Sequence, residues 1–416
     1  MTNVTIFSSG IKNIDSIEYE VVERKGIGHP DTICDAIAEG ISRNFSQYAL
    51  KEWGVILRHM LDKIALQGGA SRVTFGGGRM INPAKLFLNC RFTREVAGKK
   101  IPYLEIARKV IKEELSKAVP AFDSERWLKI VNNIHFSQGP GVVYKADDTV
   151  NERQFFFSAP KVSFLQYHSN GLRSNDTSTA VGYAPLSTLE KVVLATEDML
   201  NGKGFKKKHP FVGSDIKIMG VRAGRLIKLT CCVPLISVHV RSEKEYHAQL
   251  LFLQEEIQRV LHDRFSKCTF QVSVNTRDNP DRSDLYLTLT GSAIESGDEG
   301  VVGRGNRIRG VIPFTRRMSM EASCGKNPVY HVGKVYTALS TLIAQKIYDT
   351  LEYENYVYIS SQIGMPLVVP WCIGIDLCDA RYSVSDKHII QRIVDEHVSS
   401  PDVVTQRIIR NEIQLY

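Results

Sequence analysis

The stretch Gly291-Ser-Ala-Ile-Glu-Ser-Gly-Asp-Glu-Gly-Val-Val-Gly-Arg-Gly-Asn-Arg307 concentrates glycines, acids and cations in a few turns of chain. It runs on through Arg316, Arg317 and Met318-Ser-Met-Glu-Ala-Ser-Cys-Gly-Lys326-Asn-Pro to Lys334. Glycines let a backbone approach a ligand closely and present its N–H groups. Arginines and lysines supply the positive charge that a polyphosphate needs. Asp298 and Glu299 are placed to hold Mg2+ against the same phosphates. The stretch therefore reads as a wall of a nucleoside-triphosphate site. It is not a P-loop, because G-x-x-x-x-G-K-[ST] is absent from it.

Working outward, the chain of 416 residues is long enough for two or three domains around a sizeable core. Its net charge of +8 is mild and its cations are scattered, which argues against nucleic acid as a partner. The one basic run, Lys203 to His209, reads as a solvated turn. The eight cysteines show no C-x-x-C pair and no disulfide framework, which points to a cytoplasmic protein. Cys324 lies inside the glycine-rich stretch, where a small packing residue is the expected reading and a catalytic thiol the rival one. The first residues lack the pattern of a signal peptide, and no apolar run reaches membrane-spanning length.

Residues 16–23 alternate as a strand, followed by Arg24-Lys-Gly-Ile-Gly-His29-Pro30-Asp31. Ile33, Ala36, Ile37, Ile41, Phe45 and Tyr48 then recur at helical spacing, and Pro30 and Asp31 suit the start of that helix. A helix N-terminus there would favour an anion. Asp31 and Asp35 sit one turn apart and share a face. Taken alone, His29 reads as a capping or core histidine and Asp31 as a first-turn acid.

Strands are expected near 56–66, 86–93, 225–240, 269–275, 285–290 and 355–362. Helices are expected near 104–118, 187–200, 243–263, 333–349, 386–398 and 401–414. Residues 137–174 are polar and poorly periodic and read as an irregular active-site loop. Strands and helices come in runs rather than in strict alternation, so the fold class is α+β.

Short polar motifs recur at the ends of these segments: Gly-His29-Pro-Asp31, Ser137-Gln138-Gly, Asn175-Asp176-Thr-Ser178, Asp215-Ile-Lys217, Gly297-Asp298, Gly303-Arg304-Gly-Asn306-Arg307, Met318-Ser-Met-Glu-Ala322 and Gly325-Lys326-Asn-Pro. In order and spacing, the set resembles the S-adenosylmethionine synthetases (methionine adenosyltransferases), in particular the archaeal-type branch, over nearly the whole chain. The resemblance implies three similar α+β domains with approximate three-fold pseudosymmetry, mixed sheets packed against helices. The expected segments are 1–136, a loop 137–174, a middle domain 175–290 and a C-terminal domain 291–416, with interleaving at the boundaries. It further implies a homodimer with active sites between subunits, and leaves a dimer of dimers open.

The implied reaction is attack of methionine sulfur, or that of a close thioether, on C5′ of ATP, with hydrolysis of the expelled triphosphate to pyrophosphate and phosphate. A thioether has no proton to lose, so the chemical difficulty lies in the polyphosphate leaving group. By the same resemblance His29, Lys217, Arg304 and Lys326 are the catalytic cations and donors. ATP would be held by these with Ser137, Gln138, Asp215, Asp298, Asn306 and Arg307. Methionine would be addressed by Glu23, Gln138 and Asp176. Mg2+ would be ligated by Asp31 and Asp298, with a monovalent cation (K+) left open as a second cofactor. His331 and Lys334 align loosely with further cationic positions.

The chain also departs from the pattern. Ser137-Gln-Gly-Pro-Gly-Val142 replaces the usual Gly-Gln-Gly-Ser-Met-Asp, Ala65 stands where a glutamate is common, and Arg316-Arg317 replaces Arg-Pro. The altered loop leaves thioether preference open. The rival expectation is a regulatory ATP-binding paralogue with little or no adenosyl transfer.

Overall fold

In a computed structural model, residues 3–136, 157–169, 172–279, 281 and 284–416 are described. Three sheets organise them, each backed by two helices. The first runs Val4–Phe7, Cys372–Asp376, Asn355–Ser360, Thr179–Ala184, behind which lie the helices Val332–Leu351 and Val384–Val398. The second runs Leu128–Asn132, Ala84–Leu88, Ala65–Gln67, Gly300–Val301, against the helices Pro30–Trp53 and Tyr103–Ala118. The third runs Thr269–Val274, Leu226–Cys232, Lys217–Ala223, Tyr19–Lys25, Ile312–Pro313, against the helices Thr188–Asn201 and Glu243–Arg264.

The same pairing pattern recurs in all three sheets. Each opens on a parallel edge pair and continues through two antiparallel pairs. This is the three-fold repetition of an α+β unit, visible in topology though no sequence repeat announces it. Strands for one sheet come from far apart in the chain: Val4–Phe7 pairs with Cys372–Asp376, and Gly300–Val301 closes a sheet otherwise built from residues 65–132.

Most expected elements form within a few residues of their anticipated bounds. Four expectations change. The strand expected over 225–240 ends at Cys232, followed by the short strand Leu235–Ile236 and a helical turn Ser237–His239. That expected over 56–66 forms as two short strands, His59–Met60 and Ala65–Gln67, in different sheets. The run Lys203–His209 is not a turn but a short helix, Lys203–Lys208, because Phe205 packs on the core beneath it. The segment 137–174 is regular in part where it is described: Ser158–Ala159 is a strand and Val162–Ser169 a helix, with Phe164 and Leu165 against the core, while 172–174 is irregular. Ser137 and Gln138 lie outside the described residues.

Arg316, next to the departing Arg317, anchors two of the units. Its fully buried guanidinium pairs with Glu190 and Glu354, each at 3.0 Å, and lies 4.4 Å from the centre of the Tyr183 ring. Removing it strands two carboxylates in the interior. Arg316→Ala should therefore cost about 3–5 kcal/mol in chemical denaturation, and a loss below about 1 kcal/mol would contradict this account of the site.

Candidate active site

Side-chain alternation along Tyr19–Lys25 decides which residues reach the site. Arg24 points to the helix Thr188–Asn201, where it meets Glu197 at 3.1 Å. Glu23 and Lys25 take the other face, opposite Met219 and Lys217 of the neighbouring strand. Lys217 Nζ lies 3.5 Å from Glu23 Oε1. Lys25 Nζ donates to Asp31 Oδ2 at 2.8 Å and to the Arg304 carbonyl at 2.6 Å. Lys25 was not among the expected site residues, although the period of two from Glu23 marks it.

The strand ends in Gly26-Ile-Gly28, and His29 then caps the helix Pro30–Trp53. Its Nδ1 accepts the Asp31 amide at 3.1 Å. Histidine and first-turn acid thus satisfy the helix end, as their local reading expected, while both face Lys25. Burial, and then Lys25 and Lys217, push the imidazole down to about 4, against the pull of Asp31. The ring is therefore neutral at pH 7, and because Nδ1 is an acceptor its proton sits on Nε2.

The glycine-rich stretch docks on this same helix start. One helical turn separates Asp31 from Asp35, and alternate residues of the extended chain match that spacing. Asp31 Oδ1 accepts Val301 N and Asp35 Oδ1 accepts Gly303 N, both at 2.9 Å. The approach is close enough that a Cβ on Gly300 would fall on the Pro30 carbonyl, well inside contact distance. Asp35 is fully buried with its second oxygen unpartnered among the described residues, and burial pushes its carboxyl up to about 7.

Asn306 spends its amide on the main chain of Lys25, accepting its N–H at 2.9 Å and donating to its carbonyl at 2.8 Å. The residue expected to touch ATP is thereby placed as the tie of Lys25. Arg307 Nη1 donates to the Gly303 carbonyl at 3.1 Å, and the Arg304 side chain is exposed. Asp215 is buried and accepts Ala293 N at 2.9 Å, with the Tyr286 hydroxyl and Ser292 as further partners; burial pushes it up to about 7. Tyr286 carries no sequence signal for this role. Ser292 does, as the cap of the short helix Ala293–Glu295.

Asp298 has Glu299, Asp31 and Lys217 as its charged neighbours. Burial, then the charges of Glu299 and Asp31, hold its carboxyl above the usual carboxylate range, while Lys217 opposes. Crowded carboxylates of this kind suit a hard cation with oxygen ligands. Among the described residues no three His, Cys, Asp or Glu side chains form a ready-made cage. Mg2+ does not require one, since one or two carboxylates with substrate phosphates and water complete its shell. The residues present fit Mg2+.

The remaining expected residues gather elsewhere. A cleft of about 490 Å3 is lined by Arg58, Asp62, Asp176, Glu321, Lys326 and His331 among others, and by none of His29, Asp31, Lys217, Asp298 or Arg304. Lys326 Nζ pairs with Glu321, whose other oxygen accepts Ser178 Oγ at 2.9 Å. His331 caps the helix Val332–Leu351, and burial, with Lys326 beside it, pushes it down to about 3. Lys334 is buried against Glu39 at 2.6 Å, so it is committed to the core rather than to phosphate. Cys324 is buried and its thiol is driven well up by burial, as a packing residue would be.

The expected residues thus fall into two groups: a cation and carboxylate wall around Lys25, His29 and Asp31, and a cleft around Asp176 and Lys326. Three helix-backed sheets carry a wall of cations and carboxylates whose chemistry suits a polyphosphate held by charge and position. The chain belongs to the S-adenosylmethionine synthetase (AdoMet synthetase) family, whose model matches residues 2–412. It is 38% identical to the S-adenosylmethionine synthase of Pyrococcus furiosus, over 97% of this chain and 96% of that one. It is also 38% identical to that of Saccharolobus solfataricus over the full length of both, and 35% identical to a probable S-adenosylmethionine synthase of Aquifex aeolicus over 99% of each. Among solved structures, an unusual S-adenosylmethionine synthetase from Campylobacter jejuni shares the fold, with a TM-score of 0.57 at 14% identity, covering 94% of this chain and 89% of that one.

Proposed function

We propose that the chain transfers the adenosyl group of ATP to the sulfur of methionine or a close thioether, and then hydrolyses the triphosphate to pyrophosphate and phosphate. The observation that carries this is the geometry at His29: Nδ1 accepts the Asp31 amide at 3.1 Å, which leaves Nε2 to donate, close to Lys25, Asp31 and Lys217. A sulfur lone pair forms the new bond to C5′ while the C5′–O bond breaks, and its electron pair leaves on the triphosphate. The Nε2–H donates to that oxygen as charge builds on it. A neutral donor preorganised there stabilises the transition state without first losing a proton.

Lys25, Lys217 and Arg304 hold the phosphates from this wall. Asp31 and Asp298 would hold Mg2+, which when bound would neutralise charge on the triphosphate. Asp176 and Lys326 belong to a cleft that shares no lining residue with the His29 wall, and a second copy of the chain would complete the site, in a symmetric dimer with two equivalent sites. Among the described residues no helix is long and apolar enough to cross a membrane. No observation favours the regulatory paralogue.

The test is direct. Purified protein with ATP, Mg2+ and methionine should yield the sulfonium product together with pyrophosphate and phosphate in equal amounts. Nucleotide hydrolysis with no sulfonium product would overturn the reading.

A further inference from the structure

Behind the His29 turn, on the Arg24 face of the strand Tyr19–Lys25, lies a buried polar cluster that the chemistry above does not use. Glu197, on the helix Thr188–Asn201, is 1% exposed. Its Oε2 accepts Arg24 Nε at 3.3 Å and Nη2 at 3.1 Å. Its Oε1 accepts the Ile27 amide at 3.2 Å and Asn201 Nδ2 at 2.5 Å. Four donors therefore converge on one carboxylate. Arg24 reaches on to the Gly310 carbonyl at 2.5 Å, in the glycine-rich stretch. Asn201 reaches on to the Ser214 carbonyl at 3.3 Å, and Lys206 Nζ donates to Ser214 Oγ at 2.5 Å. Ser214 in turn accepts Gly28 N at 3.1 Å, and Gly26 N donates to the Ile216 carbonyl at 2.6 Å.

From this geometry we infer that Glu197 is a positioning residue for adenosyl transfer. It sets the Gly26–His29 turn, and through it the direction of the His29 Nε2–H, while bracing that turn against the strand that begins at Lys217. The argument is one of valence. Glu197 holds the Ile27 amide in the middle of the turn, and that amide has no other hydrogen-bond partner among the described residues. Only a carboxylate offers two acceptor oxygens to four donors. A glutamine has one oxygen, so it leaves either Arg24 or the turn amide facing an N–H. The gap is small in distance and large in consequence, because a shift of about 1 Å in a positioned group can cost about 10²-fold in rate.

This inference rests on the adenosyl-transfer reading, and its test separates the two. Wild-type protein is assayed first for sulfonium formation; no product there defeats the underlying reading and leaves Glu197 nothing to position. In protein that makes the product, two activities are then followed: sulfonium formation from ATP and methionine, and hydrolysis of added inorganic tripolyphosphate with Mg2+. The second needs the phosphate wall but not a correctly aimed Nε2–H at C5′. Glu197→Gln should lower kcat for transfer by about 10- to 100-fold, with KM for ATP and tripolyphosphate hydrolysis within about twofold. Asn201→Ala, which removes one donor from Glu197 and the tie to Ser214, should shift the ratio of the two activities in the same direction by a smaller factor. It decides the matter if Glu197→Gln does not fold. Equal loss of both activities, or an unchanged ratio in a folded variant, overturns the positioning role and leaves Glu197 a structural residue only.

Discussion

His29→Ala should lower adenosyl transfer by about 10²–10³-fold, the usual consequence of deleting one preorganised donor at a developing oxyanion. ATP affinity should change little, because in the proposed site Lys25, Lys217 and Arg304 rather than the imidazole would hold the phosphates. The loss has two components, since His29 also caps the helix Pro30–Trp53. Alanine removes the cap, at about 1 kcal/mol, along with the Nε2–H. His29→Asn separates them: asparagine caps a helix well but cannot present a donor at the imidazole's reach. Its stability should match the wild type while its transfer rate stays near that of the alanine variant. Wild-type turnover in either protein would remove His29 from the mechanism.

Gly300→Ala should be nearly as damaging, through geometry alone. The added Cβ meets the Pro30 carbonyl, which is helix backbone and cannot move aside cheaply. The Gly300–Val301 strand must lift from the helix start, and the bonds from Val301 N to Asp31 and from Gly303 N to Asp35 lengthen with it. Asp31, Asp298 and Arg304 then lose their mutual placement. Activity should fall by about 10²-fold, with a stability loss of about 1–3 kcal/mol from overpacking. An active Gly300→Ala enzyme would show that the docking of the stretch on the helix is not what aligns the phosphate wall.

Much of the wall could be read from residue order. Gly-His29-Pro-Asp31 announced a helix start, and the period of two through Glu23 and the period of four through Asp31 and Asp35 are simple consequences of strand and helix. What stayed hidden was pairing. Nothing local says that Gly300–Val301 adds an edge to a sheet built from residues 65–132, or that Val4–Phe7 finds Cys372–Asp376. Lys25 escaped notice because its value comes from Asp31 and the Arg304 carbonyl, two partners from different elements. Asn306 looked like a ligand-binding amide and is a tie for Lys25. Lys334 looked like a free cation and is held by Glu39, since charge in a sequence does not reveal burial. The split of the expected residues into two groups is likewise a property of the fold, not of any motif.

That split makes the central claim testable in one mixing experiment. His29→Ala disables the wall and Lys326→Ala the cleft, so each homodimer should be inactive. Refolded or co-expressed together in equal amounts, half of the dimers would be mixed, and each mixed dimer would hold one intact site. Activity should return to about a quarter of the wild-type value. If the mixture stays as inactive as its components while mixed dimers are demonstrably present, the two half-sites do not meet across the subunits and the composite site is wrong.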